Sequence, residues 1–296
     1  MKSGFISIIG RPNAGKSTLL NEILDRKIAI TSDKPQTTRV RITGIYTDEE
    51  AQMVFVDTPG IHKPKHKLGS VMVDVARESI YDGDVIYYVV DASVPFGGGE
   101  AFILKALETA RAPVFLLLNK TDTMQPEAIL QSIVQWNERR SFAEIFPMSA
   151  LTGDNVEALL TATKNYLPEG LPFYPADEIT DQPEKVLMAE LIREKILRLT
   201  NEEVPHSVAV VIEGTERRER DDKLVVYGLI YVERATQKRI LIGKNGQMMK
   251  KIGTAARRDI EHLVGEEIDL KLWVKVKEAW RNHDSTLHDL GLDQRF

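Results

Sequence analysis

Six apolar runs of strand length, FISIIG, VRITGIY, AQMVFVD, VIYYVVD, VFLLLN and EIFPMS, punctuate the first half of the chain. Most of the intervals between them carry apolar positions at helical spacing, and that alternation predicts a doubly wound, mostly parallel sheet. VRITGIYTDEEAQMVFVD departs from it. Its TDEE turn leaves no room for a crossover helix, so one edge strand should run antiparallel. The stretch LPEGLPFYPADEITDQPE then packs four Pro and several acids together with no period, which reads as a linker. Residues 1–168 are thus expected to form one α/β domain, 169–183 the linker, and 184–296 a second, α+β domain. In the second, a helix is expected from Glu184 to about Leu199, strands at SVAVVIEG and KLVVYGLIYVE, helical segments from about Gln247 to Leu263, and a last strand near DLKLWVKV. KRILIG reads as a strand end that meets a glycine turn.

Composition narrows the class without naming a function. At 296 residues, 43% hydrophobic and 28% charged, the chain suits a globular protein of about two domains. It has no Cys, so disulfides, thiolate metal sites and thiol nucleophiles are excluded, and a reducing compartment is expected. The six His show no zinc-binding spacing. The N-terminal apolar run is too short for a signal peptide and the others are too short for a membrane span, so a cytoplasmic protein is expected. A formal charge of −5 argues against indiscriminate nucleic-acid binding. The charge is uneven, however: residues 235–258 hold Lys238, Arg239, Lys244, Lys250, Lys251, Arg257 and Arg258 and no acid.

The strongest chemical signal is GRPNAGKS (Gly10, Arg11, Pro12, Asn13, Ala14, Gly15, Lys16, Ser17), with Thr18 next, between a predicted strand and a predicted helix. That context lets backbone N–H groups and a helix N-terminus surround phosphate oxygens, with Lys16 at the β and γ phosphates and the Ser17 hydroxyl on Mg²⁺. Asp57 ends its own strand and opens Asp57-Thr58-Pro59-Gly60-Ile61. It is the expected second support for Mg²⁺, with the Gly60 N–H toward the γ-phosphate. NKTD (Asn119, Lys120, Thr121, Asp122) and SAL (Ser149, Ala150, Leu151) end the fifth and sixth predicted strands, where ligands bind in open α/β sheets. The Asp122 carboxylate can accept from guanine N1–H and N2–H₂, a pair adenine lacks, so GTP and GDP are favoured over adenine nucleotides. Asn119 would tie the base loop to the phosphate loop, Lys120 would lie along the base, and the Ala150 N–H would meet O6. The polar segment TSDKPQTTR suits a mobile switch loop, in which Thr38, or its neighbour Thr37, completes the Mg²⁺ shell. Lys63, Pro64, Lys65 and Lys67 suit a second switch, or merely a solvated surface.

In the second half, Gly243-Lys244-Asn245-Gly246 precedes an amphipathic helix. A G-x-x-G loop of this kind clamps single-stranded backbone in RNA-binding modules, and its acid-free surroundings favour RNA. Ile242, Lys250 and Lys251 complete the candidate RNA-binding set. Ile240, Ile242, Met248, Met249 and Ile252 are expected in the core and groove wall, and Trp273 and Trp280 as packing or cap residues, with no aromatic platform.

Taken together, GRPNAGKS, PQTTR, DTPGIHKPKHKLG, NKTD, SAL and KRILIGKNGQMMKKIGTAARRDIE resemble the bacterial Era GTPase family over nearly the whole chain. The resemblance implies a Ras-like P-loop G domain followed by an α+β type II KH domain. It also implies GTP hydrolysis, binding near the 3′ end of small-subunit ribosomal RNA, a role in assembly of the precursor small subunit, and peripheral contact with the inner membrane. A monomer is expected. Ile61 stands where other switches carry a water-orienting Gln, as in the Era, MnmE and related GTPases that nonetheless hydrolyse GTP. Lys16, Thr38, Gly60 and Asn13 are then the expected catalytic residues. Asn13 would either help hold an activating K⁺ or simply brace its loop. Two other classes stay open: a P-loop phosphotransferase, against which NKTD and SAL argue, and a membrane- or protein-binding regulatory GTPase in growth control.

Overall fold

The structure is a computed structural model that describes residues 1–64 and 66–292. FISIIG becomes β1 (Lys2–Gly10) and leads through the phosphate loop into α1 (Lys16–Leu24). The chain continues through β2 (Ile42–Thr47), β3 (Ala51–Asp57), α2 (Lys67–Asp82), β4 (Val85–Asp91), α3 (Gly98–Leu107), β5 (Val114–Asn119), α4 (Pro126–Arg139), β6 (Glu144–Pro147) and α5 (Val156–Lys164). The sheet order is β2-β3-β1-β4-β5-β6. Among the strand pairs of this sheet in the described residues, β2–β3 alone is antiparallel.

The apolar runs are continuous rather than alternating because both sheet faces are covered. Tyr87 and Val89 of β4 and Phe115 and Leu117 of β5 pack with α1 and α5, while Ile86, Tyr88, Leu116 and Leu118 pack on the other face with α2, α3 and Trp136 of α4. Each fully buried Ile, Leu or Phe contributes about 1.5–3 kcal/mol. That investment makes the strand ends a rigid platform, and the loops at the carboxyl ends of β1, β3, β5 and β6 lie together along one rim.

The segment predicted as a linker is pinned to the first sheet. The Gln52 side chain accepts from Phe173 N–H and Tyr174 N–H and donates to the Tyr174 carbonyl. Ile45 N–H and the Thr180 hydroxyl add bonds to the Ile179 and Thr43 carbonyls. The second domain follows as α6 (Glu184–Leu199), α7 (Val204–Ser207), β7 (Ala209–Arg217), β8 (Leu224–Val232), α8 (Ala235–Ile242), α9 (Gln247–Val264), β9 (Ile268–Val276) and α10 (Asp284–Asp289). Its sheet order is β7-β8-β9, with β7 antiparallel and β9 parallel to β8, the type II KH arrangement. α9 buries Ile252, Ala256 and Ile260, one residue per turn, against that sheet.

One element differs from expectation. KRILIG belongs to helix α8, not to a strand end. A short apolar run fits either period, and the fold decides it. As a helix it buries Leu241 and turns Ile240 and Ile242 outward, 50% and 37% exposed, so neither is a core residue.

Candidate functional site

Between β1 and α1 the backbone takes conformations that most side chains resist: Asn13 has φ 64° and Gly15 φ 102°. A Cβ on Gly15 would lie 2.1 Å from the Asn119 amide nitrogen, so only glycine fits there. α1 begins with no side-chain cap, which leaves its first N–H groups for an anion. Lys16 is buried and its Nζ donates to the Arg11 carbonyl at 3.0 Å. Burial lowers its pKa, opposed by nearby Asp57. The Arg11 side chain turns away to Glu100 at 3.0 Å, so only its backbone belongs to the loop.

Three oxygen donors from separate elements converge beside Lys16. The Ser17 hydroxyl donates to Asp57 Oδ2 at 2.6 Å and lies 2.8 Å from Thr38 Oγ1. Asp57 is fully buried, and burial raises its pKa to about 6 against the pull of Lys16 and Ser17. Among the described residues its Oδ1 has no hydrogen-bond partner, which is costly for a carboxylate unless a cation supplies one. Two hydroxyls and a half-satisfied carboxylate fit the hard-oxygen preference of Mg²⁺, whose remaining ligands would be phosphate and water oxygens. Thr37 is not part of this cluster: its hydroxyl bonds the Lys34 carbonyl at 2.7 Å. The Thr58 hydroxyl is also turned away, onto the Ile8 carbonyl. A cavity of about 210 Å³ opens here between residues 12–13 and 15–18 of the phosphate loop, residues 30–33 and 36–38 of the first switch loop, Gly60 and Lys120. Gly60 closes tightly on the phosphate loop, since a Cβ there would lie 2.6 Å from the Pro12 nitrogen.

At the base end, buried Asn119 joins two loops: its amide donates to the Ala14 carbonyl and accepts from the Ala150 N–H, both at 2.8 Å. The Ala150 N–H expected at guanine O6 is therefore committed to Asn119, and an O6 contact would compete with it. Ser149 donates to Asp122 Oδ1 at 2.7 Å and so aims an otherwise exposed carboxylate. Lys120, at φ 70°, pairs with Asp91 at 2.6 Å. The Thr121 N–H bonds the Met148 carbonyl, and Leu151 is exposed at the rim.

Ile61 is 1% exposed and packs among Ile9, Ala76 and Ile80, with its N–H on the Gly10 carbonyl. The neighbouring His62 takes the place of a bridge: Nδ1 faces the Gly60 carbonyl and Nε2 the Gln36 amide nitrogen, each at 2.8 Å. A carbonyl only accepts, so Nδ1 carries the proton and Nε2 accepts from Gln36. The two switch loops are thereby joined. Asn13 ties the phosphate loop to the first switch, donating to the Asp33 carbonyl at 2.8 Å. Of the basic run, Lys67 pairs with Asp284 at 3.3 Å, and Lys65 lies outside the described residues.

The first switch loop is also held by the second domain. Thr31 N–H donates to Glu194 at 3.1 Å, Arg198 donates to the Thr31 carbonyl and hydroxyl, and Lys34 reaches Asn201 at 3.0 Å. Arg193, fixed by Glu190, donates to the Thr37 carbonyl. In the other direction, buried Arg39 donates to the Val208, Pro205 and His206 carbonyls at the end of α7. Burial and the nearby Arg193 push its pKa well below the usual guanidinium value. The cost of the buried charge is offset by those carbonyls and by the Trp280 ring 5.8 Å away.

The G-x-x-G turn caps a groove of about 580 Å³ between α8, α9 and β9. Gly243, Asn245 and Gly246 have φ of 72°, 52° and 75°, and a Cβ on Gly246 would meet nothing within 4 Å, so its surface is open to close approach. Ile242, Gly246, Lys250, Met249 and Arg257 line the groove. Lys244, Asn245 and Lys251 are exposed beside it.

The model of the 50S ribosome-binding GTPase family matches residues 5–120, and the KH-domain model matches residues 203–281. The structure of a point variant of Aquifex aeolicus Era bound to GDP.AlF4⁻ is 40% identical, covers 99% of this chain and 100% of its own, and superposes with a TM-score of 0.96. A structure of Era with MgGDPNP and nucleotides 1506–1542 of 16S ribosomal RNA matches over the same extent at 40% identity and a TM-score of 0.97. The chain belongs to the Era family of GTPases. Era-family enzymes hydrolyse GTP, and the relatives' GDP.AlF4⁻ and MgGDPNP imply Mg²⁺ with the nucleotide.

For this Era-family chain, reading the sequence missed Gln36, His62, Arg39 and Arg193, which join the switches to each other and to the KH domain. No motif marks them, because each acts through a partner far away in sequence. Trp280 is a buried cap, its Nε1 donating to the Ser207 carbonyl at 2.8 Å. Trp273 is not a packing residue: it is 47% exposed and stacked on Tyr227, with ring centroids 5.8 Å apart.

Proposed function

We propose that this Era-family GTPase is a switch whose KH groove takes single-stranded RNA near the 3′ end of small-subunit ribosomal RNA, and that it acts in assembly of the precursor small subunit. The observation that carries the reading is the first switch loop, which lines the phosphate cavity and is bonded to α6 and α7 of the KH domain. A loop shared in this way gives nucleotide state and RNA affinity a common physical element, as coupling between sites requires. The relative's complex with 16S RNA favours the small subunit as target.

In this reading Lys16 and the α1 N–H groups hold the β and γ phosphates, Gly60 N–H meets the γ-phosphate, and Asp122 and Ser149 read guanine. Ser17, Thr38 and Asp57 would hold Mg²⁺, which when bound neutralises phosphate charge. Asn13 and the Asp33 carbonyl would flank an activating K⁺; equal GTPase rates in K⁺ and Na⁺ for the unaltered protein would remove that assignment. The protein is placed in the cytoplasm as a monomer, with peripheral contact at the inner face of the membrane. Among the described residues no helix is long and apolar enough to cross a membrane.

The test is crosslinking to RNA in cells beside Gly246→Asp, which puts a negative side chain in the open space at the clamp. Enrichment of the 3′ end of small-subunit ribosomal RNA, lost in the variant, is expected. Recovery of no specific RNA by either protein would leave a GTPase whose second domain binds protein or membrane.

A further inference from the structure

We propose that RNA leaving the KH groove crosses the β9 edge and stacks a base on an aromatic platform on the outer face of the KH sheet, formed by Tyr227 and Trp273. The inference rests on the RNA-binding reading above and adds a second contact surface to it.

β9 is an edge strand, and its side chains alternate. Leu270, Leu272 and Val274 face the helices and the groove, while Lys271, Trp273 and Lys275 face outward. Parallel pairing sets Tyr227 beside Lys271 and Leu229 beside Trp273 on that outer face. The two rings stack at 19°. The Lys271 ammonium lies 5.3 Å from the Tyr227 ring centroid. On neighbouring β7, Gly214 sits across from Tyr227, and a Cβ there would meet nothing within 4 Å. A shallow hollow of about 610 Å³ therefore opens beside the rings.

Continuity with the groove identifies the occupant. Trp273 lines both the groove and the outer hollow, so the indole forms the ridge between them. A strand held at the G-x-x-G clamp needs no break in its path to reach it. Lysines at alternate outward positions flank the ring, as a phosphate backbone with a stacked base requires. The acids nearby are already engaged: Glu216 accepts from the Tyr227 hydroxyl, Asp269 pairs with Arg218 at 3.1 Å, and Glu213 lies 4.0 Å from Lys275.

The rest of the outer face excludes a simpler explanation, that the rings pack against the G domain. Beyond Tyr231 the face is sealed by Leu68, Val71 and Met72 of α2 and by Leu287 of α10, around Ala209 and Trp280. The Tyr227–Trp273 end stays open beside this seal.

The experiment uses the full chain and two single-stranded RNAs from the 3′ end of small-subunit ribosomal RNA. One of about four nucleotides just fills a clamp that holds about four; the other, of about twelve, extends beyond it. Trp273→Ala is expected to weaken the longer RNA about tenfold and the shorter less than about twofold. Trp273→Phe keeps a stacking ring and should bind both like the unaltered protein. Trp136 and Trp280 are buried, so a change in tryptophan emission on adding the longer RNA, absent in Trp273→Phe, would report the contact itself. Should Trp273→Ala fail to fold, Lys271→Gln with Lys275→Gln should lower the salt dependence for the longer RNA alone. Equal loss for both lengths would make Trp273 a groove wall and overturn the proposal, as would no loss for either. Gly246→Asp should abolish both. If the unaltered protein bound neither RNA, the RNA-binding reading itself would fall, and this proposal with it.

Discussion

Lys16 and Lys250 both face sites read as phosphate-binding, yet they are held in opposite ways. Lys16 is buried and already bonded to the Arg11 carbonyl, beside a network that runs through Ser17, Asp57 and Thr38. Lys250 is exposed at the groove, and neither it nor Lys244 nor Lys251 pairs with an acid among the described residues. The first site is organised during folding, so a nucleotide meets groups fixed in geometry and little screened by salt. The second keeps its cations free for a polymer whose phosphates come at variable positions. Rigidity serves recognition of one small polyanion, and mobile charge serves a flexible chain. The loop from Thr31 to Arg39 joins the two, bonded to the cradle through Asn13 and Ser17 and to the KH domain through Arg193 and Arg39.

The comparison is broken most severely at Lys16. Lys16→Ala removes a buried charge from the preformed site and should weaken GTP binding by about a hundredfold or more, read by titration with a fluorescent GTP analogue. Binding unchanged within about threefold would put the phosphates elsewhere. Arg39→Ala comes next, because it removes the side-chain donor of the Pro205 and Val208 carbonyls and leaves the His206 carbonyl to Arg281 alone. A loss of about 2–3 kcal/mol in denaturant unfolding of the full chain is expected. An unchanged midpoint would mean that the bridge adds nothing to stability.

The joint between the domains should also respond to pH. His66 accepts the Gly69 N–H through Nδ1 and so caps α2 only when neutral. Burial, then Arg281, Arg39 and His62, lower its pKa to about 4, with Glu233 opposing. The folded value lies below that of the unfolded chain, so the stabilisation is complete above about pH 6.5 and lost as pH falls toward about 4. His66→Asn, which caps without titrating, should lose a few degrees less in melting temperature across that window. Parallel curves would remove His66 as the cause. The smallest effect belongs to the groove: Lys250→Gln with Lys251→Gln should reduce the salt slope of RNA binding by about 0.7 for each charge that contacts a phosphate. An unchanged slope would move the phosphate path off α9.

Much of the molecule was legible in one dimension wherever chemistry is local. The phosphate loop carries its own signature because Gly10, Gly15, Lys16 and Ser17 act through one short stretch of backbone. The six-stranded order of elements was readable because both sheet faces are buried and the runs stand out. KRILIG was misread because a short apolar run suits helix and strand alike, and only packing of Leu241 into the KH core selects the helix. Trp273 was misread for a related reason. Alternation along β9 says that it faces opposite to Leu272, but not which face is covered.

The sequence by itself determined that this protein has a phosphate loop, a guanine-selective base loop and a basic G-x-x-G module, since each depends on residues close along the chain. Only the tertiary structure decided that Thr38 rather than Thr37 joins Ser17 and Asp57, that Gln36 meets His62, and that Arg39 and Arg193 hold the switch loop against the KH domain. These are contacts between residues 21 to 169 positions apart, as from Ser17 to Thr38 or from Arg39 to Val208. Spacing along a chain carries no information about such pairs until two packed cores bring them together.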